Sequence, residues 1–119
     1  MTTKTLVEIN NVSIQVVEDK AQVLVPIKPI CEAFGIDEEA QRQRIKQDEI
    51  LSLVLCLARA TSRDGKRYMM SCLPIKYVFG WLFTISPYRV SDKARNLVIE
   101  HRIQCYDVFY EYLKKSKVQ

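Results

Sequence analysis

The dipeptide Asp64-Gly65, which lies between two strand-like segments, constrains the fold more than any other feature of this sequence. A type I′ turn needs a positive φ at both central positions, and an Asp-Gly dipeptide tolerates this, so the sequence predicts a β-hairpin over 52–63 and 66–73. With a two-residue loop, the predicted register sets three pairs of residues opposite one another: Leu57 with Cys72, Arg59 with Met70, and Thr61 with Tyr68. Such a hairpin has an apolar base and a basic tip.

The segments before the hairpin are rich in Val and Ile and predict strands over 5–9, 12–18 and 22–27. Asn10-Asn11 is a turn dipeptide that separates the first two strands. Pro29 suits the first turn of a short helix, because its missing N–H would be unpaired there in any case. Gly35 supplies the left-handed residue that ends this helix.

Further capping signals place the remaining helices. Asp37 predicts the N-cap of a helix that runs to about residue 46, with Glu38 and Glu39 favourable near its positive end. After the hairpin, Pro74 opens a helix over 75–83 and Ser91 caps a long helix over about 92–115. With 119 residues, the chain is expected to be one α+β domain over 1–119, in which antiparallel strands and a hairpin are covered by short helices and a long C-terminal helix.

The long final helix carries two apolar stripes, where a helix on one side of a small sheet needs only one. The first stripe comprises Ala94, Val98, His101, Cys105, Phe109 and Tyr112. The second comprises Ile99, Ile103, Tyr106, Tyr110 and Leu113. Two readings remain open: burial of both stripes within the domain, or use of the second stripe for self-association or docking.

Catalytic and metal-binding signatures are missing from the sequence. The four cysteines are widely spaced, without Cys-x-x-Cys, and His101 is the only histidine, so we expect no metal site, no cofactor and no catalytic triad. His101 and Trp81 are expected to be core residues. Apolar runs are too short to span a bilayer and no signal peptide is recognisable, so we expect a cytoplasmic protein with reduced cysteines.

Basic residues form two clusters in a chain of net charge +4. The hairpin tip contains Arg59, Arg63, Lys66 and Arg67, and the second helix contains Arg42, Arg44 and Lys46. Three interpretations remain open for both clusters: a solvated basic face, contact with DNA, or contact with an acidic protein partner. Helices 29–34 and 37–46 resemble a helix-turn-helix only weakly, because Gln41 occupies a position that is usually apolar.

The sequence resembles the N-terminal domain of temperate-phage antirepressors of the Ant type, over roughly residues 5–113. Several motifs carry the resemblance: Val-Pro-Ile-Lys-Pro-Ile-Cys-Glu-Ala-Phe-Gly-Ile-Asp at 25–37, Cys-Leu-Pro at 72–74, Gly-Trp-Leu-Phe at 80–83, then Ile85, Pro87, Arg89-Val90, and a helix ending in Cys105, Tyr106, Val108 and Tyr112. The Gln-Arg-Gln-Arg-Ile-Lys helix and the basic hairpin lie between the motif at 25–37 and the motif at 72–74.

The resemblance implies a regulatory role without catalysis. Ant-type antirepressors bind a phage repressor protein and prevent it from holding its operators, so lytic genes are expressed. The domain is also distantly similar to Bro-type and KilA-type domains, some of which bind DNA. A DNA-binding module that uses the basic hairpin and helix 37–46 is therefore the alternative function.

Overall fold

The computed structural model describes residues 2–9 and 12–118, apart from the side chains of 2, 5–9, 19, 105, 108, 109, 112, 113 and 115–118. The predicted Asn10-Asn11 turn lies outside the described residues. In chain order the elements are β1 (Thr2–Ile9), β2 (Val12–Asp19), β3 (Gln22–Pro26), α1 (Ile27–Phe34), α2 (Glu38–Gln47), α3 (Leu51–Val54), β4 (Cys56–Thr61), β5 (Arg67–Pro74), α4 (Ile75–Phe83) and α5 (Asp92–Val118). The predicted α+β class is confirmed. None of the described helices is long and apolar enough to cross a bilayer.

The strands form one antiparallel sheet with the order β1-β2-β3-β5-β4. The sheet curls until β2 approaches β4, the strand at the far edge. Gln15 of β2 bridges the remaining gap: its Nε2 donates to the Thr61 carbonyl at 2.6 Å, and its Oε1 accepts from the Thr61 N–H at 3.1 Å. One side-chain amide thus takes the place of a peptide unit in a neighbouring strand.

The curled sheet encloses a small apolar cluster on its concave face. This cluster consists of Val17, Leu24, Ala58, Ala60, Met70 and Cys72. Two of its members are alanines on β4, and small side chains suit the position where the curl brings β4 towards β2, because larger ones would overpack the space.

The main core lies between the other face of the sheet and the helices, and includes Ile27, Ile30, Leu73, Trp81 and Val98. Trp81 is buried as predicted. Its Nε1 donates to Gln41 Oε1 of α2 at 3.1 Å, which satisfies two polar groups that would otherwise be buried without partners.

Gly35 lies where the end of α1 packs against the start of α5. Its φ of +69° ends α1 in the left-handed conformation, as predicted. A Cβ at this position would lie 2.9 Å from Ser91 Cβ. The N–H of Ser91 donates to the Phe34 carbonyl at 2.8 Å, so the close approach at Gly35 lets α1 anchor the residue that precedes α5.

The predicted register of the hairpin is wrong by one residue. Leu57 is opposite Ser71, Arg59 is opposite Met69 and Thr61 is opposite Arg67. The loop contains three residues, 63–65, because the Gly65 N–H donates to the Ser62 carbonyl at 3.0 Å and the Ser62 N–H donates to the Lys66 carbonyl at 2.8 Å. With Gly65 at φ +83°, this is a type I turn followed by a left-handed bulge residue, the other common hairpin loop.

The predicted strand over 52–55 is also wrong, since residues 51–54 form the short helix α3. Asp48 starts this turn: its Oδ1 accepts hydrogen bonds from the N–H groups of Ile50 and Leu51, both at 2.9 Å. These backbone bonds lower the pKa of the Asp48 carboxyl. Asp48 is thus a capping signal that the sequence analysis overlooked.

Candidate functional site

The described part of the chain contains no group of three His, Cys, Asp or Glu side chains able to hold a metal. Cys31 and Cys72 are buried, and burial raises the pKa of each thiol to about 12. At neutral pH they are therefore thiols rather than nucleophilic thiolates. The side chain of Cys105 lies outside the description.

His101 is half-buried, whereas a core position was predicted. It stacks on Phe79 with ring centroids 6.0 Å apart, and its Nε2 lies 3.3 Å from the Phe79 carbonyl. His101 therefore connects α5 to α4 at the edge of the core.

The hairpin tip presents Arg59, Lys66 and Arg67 to solvent. Arg63 is also largely exposed, and its Nη1 lies 3.6 Å from Glu32 Oε2 of α1, so its charge is partly balanced. Arg67 reaches back towards the Arg59 carbonyl, with its Nη2 at 3.4 Å.

Asp64 organises this tip. Its Oδ1 accepts from the Lys66 N–H at 2.8 Å and its Oδ2 accepts from the Tyr68 hydroxyl at 2.7 Å. The Tyr68 bond and then the Lys66 bond lower the pKa of Asp64, and the same Tyr68–Asp64 bond raises the pKa of Tyr68.

The second predicted basic cluster, on α2, is less available. Arg42 pairs with Glu39 one turn earlier. Arg44 and Lys46 are exposed, but the first turn of α2 carries Glu38 and Glu39, which would repel phosphates at that end.

The contacts of the two clusters lead to different parts of the fold. Arg63 reaches α1, whereas Arg44 lines a small cavity with Asp48, Trp81 and Thr84. The described contacts therefore do not join the hairpin-tip cluster and the α2 cluster to each other.

The second apolar stripe of α5 is exposed to solvent wherever its side chains are described. The exposed fractions are 40% for Ile99, 52% for Ile103, 59% for Tyr106 and 62% for Tyr110. Leu113 belongs to the same stripe, but its side chain lies outside the description. The first stripe behaves differently, since Ala94 and Val98 are buried.

The described contacts between α5 and the rest of the domain extend as far as Tyr106. Arg102 donates to the Phe83 carbonyl through Nη2 at 3.1 Å and lies over the Phe83 ring. Tyr106 meets the same ring edge-to-face, with centroids 5.7 Å apart. Beyond this contact, Tyr110 presents its aromatic surface to solvent.

A polar cavity of about 540 Å³, which the sequence did not suggest, lies between β2, α1 and the hairpin tip. Its lining includes Gln15, Glu32, Thr61 and Arg63. Gln15 and Thr61 bond to each other, and Arg63 pairs with Glu32. The Gln15–Thr61 bonds join β2 to β4, and the Arg63–Glu32 pair joins the hairpin tip to α1.

Comparison with protein-family models assigns the chain to a family. A family model described as the P22_AR N-terminal domain matches residues 5–119. No curated protein and no solved structure matches the chain. Since the family model covers nearly the whole chain, the protein belongs to the family of phage antirepressor N-terminal domains.

Proposed function

We propose that this domain binds a phage repressor protein and thereby relieves transcriptional repression, in the cytoplasm of the bacterial host and without catalysis or a cofactor. Membership of the antirepressor family gives the regulatory role. The choice of a protein partner goes further and is supported by the surface of the domain.

The exposed apolar face of α5 is the observation that carries the choice of a protein partner. This face presents the aliphatic and aromatic surface of Ile99, Ile103, Tyr106 and Tyr110. Burial of that surface against another apolar surface lowers the free energy, whereas contact with phosphates does not. Tyrosine is also enriched at protein interfaces.

The test of repressor binding uses operator DNA carrying the repressor of the same prophage. Addition of the purified chain should release the repressor from labelled operator in a gel-shift assay, and the chain should co-purify with the repressor. An unrelated repressor on its own operator is the control. If the cognate repressor stays on its operator at a large excess of chain and does not co-purify with it, the proposal is wrong.

We propose self-association as the competing use of this same stripe of α5, through contact with its copy in a second chain. The double substitution Ile103→Glu and Tyr110→Glu places charges in this face and should convert the associated species to a monomer with unchanged circular dichroism. Gln104→Glu, also exposed on α5 but on its polar side, is the matched control and should leave association intact. A monomeric unmodified chain at high concentration in sedimentation equilibrium would contradict this proposal.

DNA binding remains the second candidate, favoured by the exposed Arg59, Lys66 and Arg67, for which no ion pair exists within the described residues. If these groups contact phosphates, removal of one contact should weaken binding equally on all sequences and flatten the salt slope by about one unit. Duplex DNA is titrated at two salt concentrations against the unmodified chain and a variant with alanine at 59, 63, 66 and 67. Tight, salt-steep binding that the variant loses would favour DNA, and no binding at low salt would exclude it.

A further inference from the structure

The outer edge of β4 has unpaired backbone groups, and one end of this edge is closed by Gln15. Among the described residues, strand β4 is the last in the sheet order and its one partner strand is β5. In an antiparallel pair, alternate residues direct both backbone groups towards the partner strand. The backbone of Ser62 bonds to Lys66 across the hairpin, so the N–H and C=O groups of residues 56, 58 and 60 also point towards β5. The N–H and C=O groups of Leu57, Arg59 and Thr61 point outwards.

The Gln15 bridge confirms this alternation independently, because it bonds both outward backbone groups of Thr61. The outward carbonyl of Arg59 receives only the long bond from Arg67. Within the described residues, the N–H and C=O of Leu57 and the N–H of Arg59 have no partner. The open edge is therefore short, and Gln15 closes one end of it.

The side chains beside this open edge combine apolar surface with uncompensated positive charge. Leu57 and Met69 are 65% and 55% exposed, and the register places both on the outer face of the hairpin together with Arg59 and Arg67. Asp64, the acidic residue of the loop, accepts hydrogen bonds from the Tyr68 hydroxyl and the Lys66 N–H, and within the described residues neither Arg59 nor Arg67 forms an ion pair.

We infer that the β4 edge binds an acidic, extended segment of a partner protein as an added strand. Main-chain hydrogen bonds to Leu57 and Arg59 supply the pairing, as in other sheet-edge complexes. Residues two apart in the segment point to the same face, so an acidic residue opposite Arg59 has an apolar residue opposite Leu57. A second copy of this chain fits poorly, because pairing two β4 edges gathers the arginines of both copies on one face.

This inference deepens the proposed function, since it names the chemistry of the partner segment. The probe is a fluorescein-labelled seven-residue peptide with glutamate at its second and fourth positions, leucine at its sixth and threonine elsewhere. The expected results are saturable binding by anisotropy and slower hydrogen exchange at the Leu57 and Arg59 amides of the unmodified protein. N-methylation at the fourth and sixth positions of the peptide, or lysine in place of both glutamates, should abolish binding.

Leu57→Pro tests the backbone pairing, because proline is tolerated at an edge position whose N–H points away from the sheet. It should weaken peptide binding about fivefold through loss of one hydrogen bond. Arg59→Glu should weaken it at least about tenfold, whereas Lys46→Glu, an equal charge change on α2, should not. Equal binding of the N-methylated peptide, or unchanged exchange at both amides of the unmodified protein, would overturn the inference.

Experiments with the repressor itself distinguish failure of the β4-edge inference from failure of the proposed function. If the peptide does not bind while the repressor binds the unmodified and Leu57→Pro chains alike, the edge inference is wrong and repressor binding stands. If the peptide binds with the expected exchange protection while the repressor does not bind, the edge inference stands and the proposed repressor is not the partner.

Discussion

Substitution of Gln15 provides the sharpest test of how this sheet is closed. Gln15 makes two hydrogen bonds to Thr61, which is 46 residues away in sequence. Gln15→Ala removes both bonds and leaves the Thr61 N–H and C=O unpaired. A hydrogen bond contributes about 1 kcal/mol net, and a buried group left unpaired costs about 1–3 kcal/mol.

Water from the adjacent cavity, which both residues line, reduces that second cost. We therefore expect Gln15→Ala to lower the free energy of unfolding by about 1–3 kcal/mol. For a domain of this size, that loss corresponds to a decrease in Tm of very roughly 4–15 °C.

Gln15→Glu separates the two bonds and introduces a pH dependence. A carboxylate still accepts from the Thr61 N–H but cannot donate to the Thr61 carbonyl, and it lies in a mostly buried site. The protonated acid restores the donor, so folding raises the pKa of the introduced carboxyl. Stability relative to the unmodified chain should therefore be highest below the unfolded pKa of glutamate and decline as pH rises through the raised folded pKa.

The measurements are urea denaturation followed by Trp81 fluorescence and hydrogen exchange at the Thr61 amide. Gln15→Ala should accelerate exchange at Thr61 while leaving the amides that bond β4 to β5 near their original rates. A change in unfolding free energy below about 0.3 kcal/mol, together with unchanged exchange at Thr61, would refute the idea that this side chain holds the sheet closed.

Three further perturbations test other contacts. Gly35→Ala should destabilise the domain by at least about 1–2 kcal/mol in thermal or urea unfolding, because alanine is strained at φ +69° and its Cβ would meet Ser91; a neutral result would contradict the close approach described. Gln41→Leu should cost about 1–3 kcal/mol in the same assay, because the buried Trp81 Nε1–H loses its acceptor, whereas the exposed Gln43→Leu should cost little. Tyr68 should titrate above its ordinary pKa of about 10 in an NMR pH series, so the bond to Asp64 stabilises the tip below the unfolded pKa of tyrosine and is lost as pH rises through the raised folded pKa. Asp64→Asn should return Tyr68 towards ordinary titration, and an unchanged Tyr68 titration would show that Asp64 is not the cause.

Local signals in the sequence were sufficient for most of the element order. Gly35, Asp37 and Pro74 each act on their own helix boundary, and all three boundaries were predicted correctly. The hairpin register failed because Asp64-Gly65 fits two loop types. Only the backbone bonds of Ser62 with Gly65 and Lys66, with Gly65 as the one loop residue at positive φ, identify the three-residue loop.

Contacts between residues distant in sequence could not be predicted from local patterns. Gln15 and Thr61 are 46 residues apart, and Gln41 and Trp81 are 40 apart. Each glutamine looked like an ordinary polar residue until the fold placed a partner beside it. The open β4 edge was equally hidden, because a one-residue change of register decides which backbone groups and side chains face outwards.

The described contacts of α5 with the rest of the domain run from Ser91 to Tyr106, and this has a mechanical consequence. Ser91 is held against Phe34 and Gly35, and Val98 is buried in the core, while the helix continues to Val118. At 1.5 Å per residue, the part beyond Tyr106, which meets the Phe83 ring, is about 18 Å long. A tilt of about 5° at Tyr106 would therefore displace the far end by about 1.6 Å. Any partner that holds the outer part of α5 acts with leverage on the contacts that Arg102 and Tyr106 make with Phe83.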